Sequence, residues 1–404
     1  MTMAESYLHP AHWTSSTRFT EAPGRVVMES NLGRRHEVKF APALLRDDGE
    51  MLFEAISHAP ALIITTPSVD RYYGRTLRKV VQRFGGRHAC DYHVLECREN
   101  AKDIQQTLNI CEIALNANLR RGGTIVAIGG GVCMDVAGLA AAIYRRGVRH
   151  IKVPTTLIGL IDAGIGIKNG INFRQKKSAL GSFYPPELTL LDPAFLRTLP
   201  ELHIRDGLSE ALKMAIVDDR TLFELMEANA DSLLPRRLDT QAGHDVITRS
   251  VKGMLAALSE NLYELDGYCR MVDFGHTFSP FIESATAYEV THGQAVAIDM
   301  AISATLARNF GLLDEEDFER ILQLMHALSL PIFHKCTLRV DEFHRSLEGI
   351  VAHRDGALNL VVPNGIGAYE FVHSASDVPR REIEAAVKYL EERHATVRDR
   401  GLVY

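Results

Sequence analysis

Cysteine is scarce in this sequence, and what there is does not pair up. Cys90, Cys97, Cys111, Cys133, Cys269 and Cys336 are scattered, with no CxxC spacing among them, which argues against a disulfide framework and makes a reducing cytoplasm the expected compartment. Long apolar runs are also missing. None reaches the roughly 18 residues that a bilayer-spanning helix needs, and the N-terminus lacks the charged-then-apolar pattern of a signal peptide. No membrane partner is therefore expected. A Lys/Arg run long enough to track a phosphate backbone is absent, and the formal net charge of -6 gives no reason to expect nucleic acid. Internal repeats and low-complexity stretches are lacking too.

What remains is an ordinary soluble composition, with 46% apolar and 24% charged residues. At 404 residues the chain exceeds what one hydrophobic core usually serves, so two domains are expected. Residues 1–35 are polar, mixed in charge and aperiodic, and read as an arm or cover. From Glu37 the pattern changes. Ala61-Leu62-Ile63-Ile64 and Thr124-Ile125-Val126-Ala127-Ile128 are strand-like runs, and between them Ala101 to Leu119 carries apolar residues at helical spacing. Strands alternating with helices argue for βαβ units and a parallel sheet. Beyond about Pro200 helical patterns dominate, at Gly207–Val217, Asp245–Leu262 and Gly293–Asn309, with a strand-like run at Ala357–Val362. The expectation is an α/β nucleotide-binding domain over 36–200 and a mostly α-helical metal- and substrate-binding domain over 201–404, with the seam near 185–205.

Three features carry chemistry. Gly129-Gly130-Gly131 follows a strand and precedes a helical run from Val136 to Tyr144. A helix N-terminus there could hold a pyrophosphate, and glycines let the backbone come close to it. The spacing is not GxGxxG, so the Rossmann fingerprint is absent and a ligand-free tight turn is the competing reading. Second, Glu210, His276 and His292 supply two imidazoles and a carboxylate, the ligand types of a catalytic Zn²⁺ with open positions. Lys213 follows Glu210 by three residues and shares its helix face. With 17 histidines in the chain, spacing alone does not bring these three together. Third, residues 162–186 hold Lys168, Arg174, Lys176 and Lys177 in a glycine-rich stretch, just downstream of Arg145 and Arg146. Read as a loop, this suits an anionic small molecule, though a solvated basic loop is the plainer alternative.

Taken together and in order, the motifs GGGVCMDVAG, YRRG, VPTTLIGLIDAGIGIKNGINF, LGSFYPP, LDPAFLRTLP, GLSEALKMA, FGHTFSP and HGQAVAIDMA resemble the sugar phosphate cyclase superfamily, the relatives of 3-dehydroquinate synthase. The likeness runs from about Glu37 to Val362. It implies a dehydroquinate synthase-like fold, NAD and a Zn²⁺ or Co²⁺ ion as cofactors, a sugar phosphate substrate and a homodimer. It also implies residue roles. Glu210, His276 and His292 resemble the metal ligands. Gly129, Gly130, Gly131, Asp135, Thr155, Thr156 and Thr198 resemble NAD contacts, with Glu99 and Lys102 near the adenosine. Asp162, Lys168 and Lys213 resemble catalytic groups by the substrate and nicotinamide, Asp162 also touching the cofactor. Arg146, Asn172, Lys177, Lys252, Asp273 and Arg354 resemble substrate-binding positions, Arg146 being contributed across the dimer. Thr66 departs from the pattern, since many relatives carry there an Asp that binds the adenosine ribose.

Within the superfamily two positions point away from 3-dehydroquinate synthase itself. Pro280 stands where that enzyme usually has a second His, four residues after the first metal His, and Arg270 lies one residue nearer to that His than the usual carboxylate-binding Arg. Lys168–Phe173 and Phe183–Pro186 look instead like the C7-cyclitol branch, 2-epi-5-epi-valiolone synthases above all, with the 2-epi-valiolone and desmethyl-4-deoxygadusol synthases as alternatives. All three act on sedoheptulose 7-phosphate. The implied reaction is transient oxidation by NAD, β-elimination of phosphate, re-reduction and intramolecular aldol closure. A metal-dependent polyol dehydrogenase of the glycerol-dehydrogenase type shares the fold and would release NADH stoichiometrically. A non-catalytic NAD-binding scaffold would be expected to have lost part of the metal or lysine set, and no position here is lost.

Overall fold

The computed structural model describes residues 13–22, 25–84, 90–174, 176–265, 269–353 and 356–399. Its strands are β1 (Trp13–Ala22), β2 (Arg25–Arg34), β3 (Glu37–Phe40), β4 (Ala61–Thr65), β5 (Cys90–Val94), β6 (Thr124–Gly129), β7 (Arg149–Pro154), β8 (Lys168–Phe173), β9 (Lys176–Phe183), β10 (Leu188–Leu191), β11 (Leu360–Pro363) and β12 (Tyr369–Val372). Its α-helices are α1 (Glu50–Ile56), α2 (Pro67–Arg83), α3 (Ile104–Asn116), α4 (Gly131–Ile143), α5 (Glu201–Val217), α6 (Arg220–Leu233), α7 (Gln241–Glu260), α8 (Ser279–Ala285), α9 (His292–Asn309), α10 (Glu315–Ala327), α11 (Val340–His353) and α12 (Arg380–Asp399).

The chain forms two compact units. One comprises residues 1–155 and 163–194, the other 156–162 and 195–404. In the first, β3-β10-β7-β6-β4-β5 make a six-stranded sheet whose pairings are all parallel. Every residue of β4 and β6 is buried, which is why these strands read as unbroken apolar runs. Leu62, Ile64, Ile125 and Ala127 of the sheet share one core with Met134, Ala137, Ala140 and Ala141 of α4 and Ile110 and Ala114 of α3. Local chemistry starts the helices where they start. Thr66 caps α2, accepting from the Val69 N–H at 3.5 Å with Pro67 in the first turn, and Asp103 caps α3, accepting from the Gln106 N–H at 3.0 Å.

Two stretches differ from the sequence reading. Residues 13–22 and 25–34, within the stretch read as an aperiodic arm, pair as the antiparallel strands β1 and β2 from Trp13↔Arg34 to Ala22↔Arg25. The basic segment is not a loop but the antiparallel hairpin β8–β9. Its glycines, which suggested a loop, serve close backbone approach instead. A Cβ on Gly181 would stand 2.6 Å from the Asn169 carbonyl, and one on Gly138 of α4 would fall 1.8 Å from Asn169 Oδ1.

In the second unit α9 is buried at Gly293 and from Ala295 to Ala307, and it packs against α5, α8, α10 and α12. A helix buried on every side belongs in the middle of a bundle. Two glycines make the packing close. A Cβ on Gly293 would meet the Asp206 Cα at 2.2 Å, and one on Gly207 would meet the Leu157 Cβ at 2.3 Å. No helix among the described residues is long and apolar enough to cross a membrane.

Candidate active site

In the first unit the order of the strands reverses between β4 and β6. The chain leaves β4 for β5 on one side and leaves β6 for β7 on the other. The carboxyl ends of two such strands are where open α/β sheets bind ligands. Here they deliver Thr66 and the turn Gly129-Gly130-Gly131. Gly130 is the N-cap of α4 and has no side chain to satisfy the first N–H groups, so that helix presents its positive end uncapped. Gly129 is compelled by packing, since a Cβ would lie 2.8 Å from the Cys133 Cβ. The Thr155 N–H donates to the Gly129 carbonyl at 2.9 Å, placing the end of β7 beside the turn. Thr66, the departure from the family pattern, is occupied as a helix cap.

Four expected residues form one polar cluster in this unit. Lys102 Nζ lies 2.5 Å from Asp135 Oδ2, both largely buried. Asn172 Nδ2 donates to the Glu99 carbonyl at 3.1 Å and to Glu99 Oε1 at 3.0 Å, and the Asn172 N–H donates to the Lys102 carbonyl at 2.7 Å. Asn172 Oδ1 accepts from the Ser178 N–H at 3.0 Å. The Asn172 amide is thus engaged at both ends by scaffold, and it holds Glu99 and the hairpin in place. Lys168 and Lys177 stand exposed on that hairpin. Arg145 and Arg146 both adopt left-handed backbone, at φ 50° and 65°. Arg145 Nε is tied to the Leu119 carbonyl at 2.9 Å, while Arg146 is turned to solvent.

In the second unit the three candidate ligands do come together. Glu210, His276 and His292 each offer a donor atom within 4.8 Å of the other two. Glu210 is on α5, His276 in the turn before α8, and His292 is the first residue of α9. His292 Nε2 lies 3.3 Å and His276 Nε2 3.8 Å from Glu210 Oε1. Donors about 2.0–2.2 Å from a tetrahedral Zn²⁺ stand roughly 3.3–3.6 Å from one another, so the spacing fits. The other ring nitrogens are engaged, His276 Nδ1 with the Phe274 carbonyl at 3.0 Å and His292 Nδ1 with Glu283 Oε1 at 3.0 Å. Burial, then the charge of Lys213, holds His276 down at about 4, so its imidazole is neutral near pH 7, the form that binds a metal.

Lys213 Nζ lies 2.6 Å from Glu210 Oε2, and neither side chain is more than 2% exposed. Both Glu210 oxygens are sealed from water and accept no hydrogen bond of normal geometry. Burial alone would raise the Glu210 carboxyl, but Lys213 and the two imidazoles hold it well below the usual carboxylate range. Burial alone would lower the Lys213 ammonium, but Glu210, and then Asp162, hold it above its usual range, with Asp273 adding to the effect. Asp162 reaches this group from a single π-helical turn, Gly159–Ala163, whose start is capped by Thr156 Oγ1 accepting from the Gly159 N–H at 3.1 Å. Asp273 is itself paired with Arg270 at 2.6 Å, and Arg270 also pairs with Glu264. Lys252 is exposed on α7, and Thr198 is exposed with its hydroxyl donating to the Phe195 carbonyl at 3.2 Å. Arg354 lies outside the described residues.

Two of the buried acids that no motif marked brace the candidate ligands. Glu283 backs His292. Asp299 accepts the Phe278 and Ser279 N–H groups at 2.5 and 2.8 Å, fixing the turn that carries His276. Their signal was a lone acid within an otherwise apolar stretch, since a buried charge needs a purpose-built partner.

Known proteins resemble this chain over most of its length. Residues 92–206 match the family model of the 3-dehydroquinate synthase N-terminal domain and residues 207–349 that of its C-terminal domain. A 2-epi-5-epi-valiolone synthase of Streptomyces hygroscopicus subsp. jinggangensis is 41% identical over 91% of this chain and 90% of its own length. The chain belongs to the 3-dehydroquinate synthase-like family of sugar phosphate cyclases. A second relative of this cyclase, the demethyl-4-deoxygadusol synthase of Trichormus variabilis, is 34% identical over 81% of this chain and 80% of its own length. A solved 2-epi-5-epi-valiolone synthase from the same Streptomyces, with NAD⁺ and Zn²⁺ bound, superposes with a TM-score of 0.83 at 41% identity, covering 89% of this chain and 97% of that one. The cyclase therefore has a two-domain family fold, with a parallel-sheet α/β unit first and a helical unit second.

Proposed function

We propose that this cyclase is a 2-epi-5-epi-valiolone synthase, a phosphate-eliminating lyase that turns sedoheptulose 7-phosphate into a C7 cyclitol. The observation that carries the reading is the group Glu210, His276 and His292 with Lys213 fixed against it, in a chain so extensively like enzymes of that activity. Pro280, in place of a second histidine, speaks against 3-dehydroquinate synthase. In this reading Glu210, His276 and His292 hold Zn²⁺ or Co²⁺. Gly129–Gly131, with Thr155, Thr156, Asp135, Lys102, Glu99 and Thr198, serve NAD. When bound, the ion supplies a Lewis acid and NAD a reversible hydride acceptor.

The chain's own groups do the rest. Lys213, kept cationic by Glu210, Asp162 and Asp273, offers a fixed positive charge where an oxyanion develops. Lys168, Lys177 and Arg146 are exposed cations that suit the departing phosphate, with Lys252, Asp273 and Arg354 as further substrate contacts. Asn172, whose amide donates to Glu99, positions Glu99. A homodimer is part of the proposal. It is supported by Ile104, Leu108 and Leu115, exposed by 38%, 47% and 58% on α3.

The test is incubation of the purified protein with sedoheptulose 7-phosphate, substoichiometric NAD⁺ and Zn²⁺ or Co²⁺. Phosphate released over many turnovers without accumulating NADH is the expected result, and NMR of the product distinguishes this cyclitol from 2-epi-valiolone and desmethyl-4-deoxygadusol. Stoichiometric NADH would replace the proposal with a polyol dehydrogenase. The His276→Ala variant is expected to lose both metal and turnover, and a metal-replete, active variant would remove His276 from the ligand set.

A further inference from the structure

We infer that Glu283 is a positioning residue for the metal ligand His292, fixing its tautomer and making it the stronger of the two imidazole donors. The inference rests on the reading of Glu210, His276 and His292 as a metal site. A carboxylate can only accept, so Nδ1 of His292, 3.0 Å from Glu283 Oε1, carries the proton and the lone pair is left on Nε2. Nε2 is the atom that lies 3.3 Å from Glu210 Oε1. The Glu283 side chain is 4% exposed, so water does little to screen this contact.

The two histidines are therefore unequal. His276 donates from Nδ1 to the neutral Phe274 carbonyl, whereas His292 donates to a buried negative charge. A carboxylate behind a metal-bound imidazole raises its basicity, and losing such a partner typically weakens metal binding about 10–100-fold. The carrier of Glu283 is anchored as well. Asp299 holds the N-terminus of α8 through the Phe278 and Ser279 N–H groups. Asp299 stands seven residues after His292 on α9, two turns along the same face. The short helix α8 is thus braced against α9 at both ends, by Asp299 at its start and by Glu283 near its end.

The experiment measures Zn²⁺ affinity by competition with a chromophoric chelator and the visible absorption of the Co²⁺-loaded protein, for wild type, Glu283→Gln, Glu283→Ala and His276→Ala. Far-UV circular dichroism checks folding. Gln keeps a neutral acceptor for Nδ1, so roughly 10-fold weaker Zn²⁺ binding is expected for it and up to about 100-fold for Ala, with altered Co²⁺ bands in both. A folded Glu283→Ala protein matching wild type in affinity and spectrum would overturn the inference and leave the metal site standing. If Ala does not fold, the near-isosteric Gln variant decides by the same two readouts. Wild type and His276→Ala binding Zn²⁺ equally would instead overturn the metal-site reading, and the inference with it.

Discussion

Replacing Lys213 by Met should have opposite effects on stability and on metal affinity, and the reason is the buried pair it belongs to. Lys213 and Glu210 meet at 2.6 Å with side chains 2% and 0% exposed. Met is similar in length, so little cavity is made, but Glu210 becomes a sealed carboxylate without its nearest cation. Breaking a buried pair by removing one partner costs about 3–5 kcal/mol. For a unit of this size about 2–4 °C is lost per kcal/mol, so the metal-free protein should melt on the order of 10 °C lower. A bound divalent cation supplies the missing positive charge and relieves a repulsion, so the Zn²⁺-loaded variant should lose much less. Linkage then requires tighter Zn²⁺ binding by the variant than by wild type, even as turnover collapses. Calorimetric melts in EDTA and in Zn²⁺, together with chelator competition, measure all three quantities. A metal-free melting point within about 2 °C of wild type, or weaker Zn²⁺ binding, would refute the electrostatic account of this pair.

Two further predictions concern the first unit. Burial, followed by the charge of Lys152, holds His150 at about 3 and His36 at about 4, below the ordinary value near 6.5. The unfolded chain then binds more protons than the folded one between those values, so stability is full above about pH 6.5 and declines as pH falls toward 4 and below. In urea titrations from pH 7 to pH 4, His150→Leu should show a shallower decline than wild type, and an unchanged slope would count against the assignment. Gly138→Ala places a Cβ 1.8 Å from Asn169 Oδ1 and should cost about 1–3 kcal/mol of overpacking. Chemical denaturation should show most of that loss recovered in an Asn169→Ala background, and a loss of equal size in both backgrounds would mean that strain arises elsewhere.

Much of the fold could be read from periodicity because its elements are extreme cases. β4 and β6 are buried on both faces and so read as continuous apolar runs, and α5 and α9 are long and uninterrupted. The hairpin β8–β9 was hidden because glycine in a strand that packs against a helix looks the same in one dimension as glycine in a loop. The strand pair β1–β2 was hidden because pairing partners, not a repeating apolar face, define it. At the site, residue types announced Glu210, His276 and His292, but their meeting from α5, the turn before α8 and the start of α9 needed the fold. Glu283 and Asp299 act only on other protein groups, and no spacing rule marks a residue whose partner is a ring nitrogen or a turn. Asn172 shows the reverse case. The family resemblance put it among the substrate-binding positions, and in the fold its hydrogen bonds go to Glu99 and Ser178.

The path of the chain sets how this protein can be divided and inherited. Residues 156–162 belong to the second unit, while the stretches on both sides of them belong to the first. A single cut therefore cannot release either unit whole. A fragment from 195 onward would lack Leu157, which fills the space beside Gly207, and Asp162, whose charge steadies Lys213. On the ribosome, the first unit must wait for β10, and the second must recover a segment made well before the rest of it. Chimaeras joined at residue 194 import seven foreign residues into the helical unit along with the nucleotide-binding half. Donor and recipient should therefore recombine freely only where those seven positions already agree.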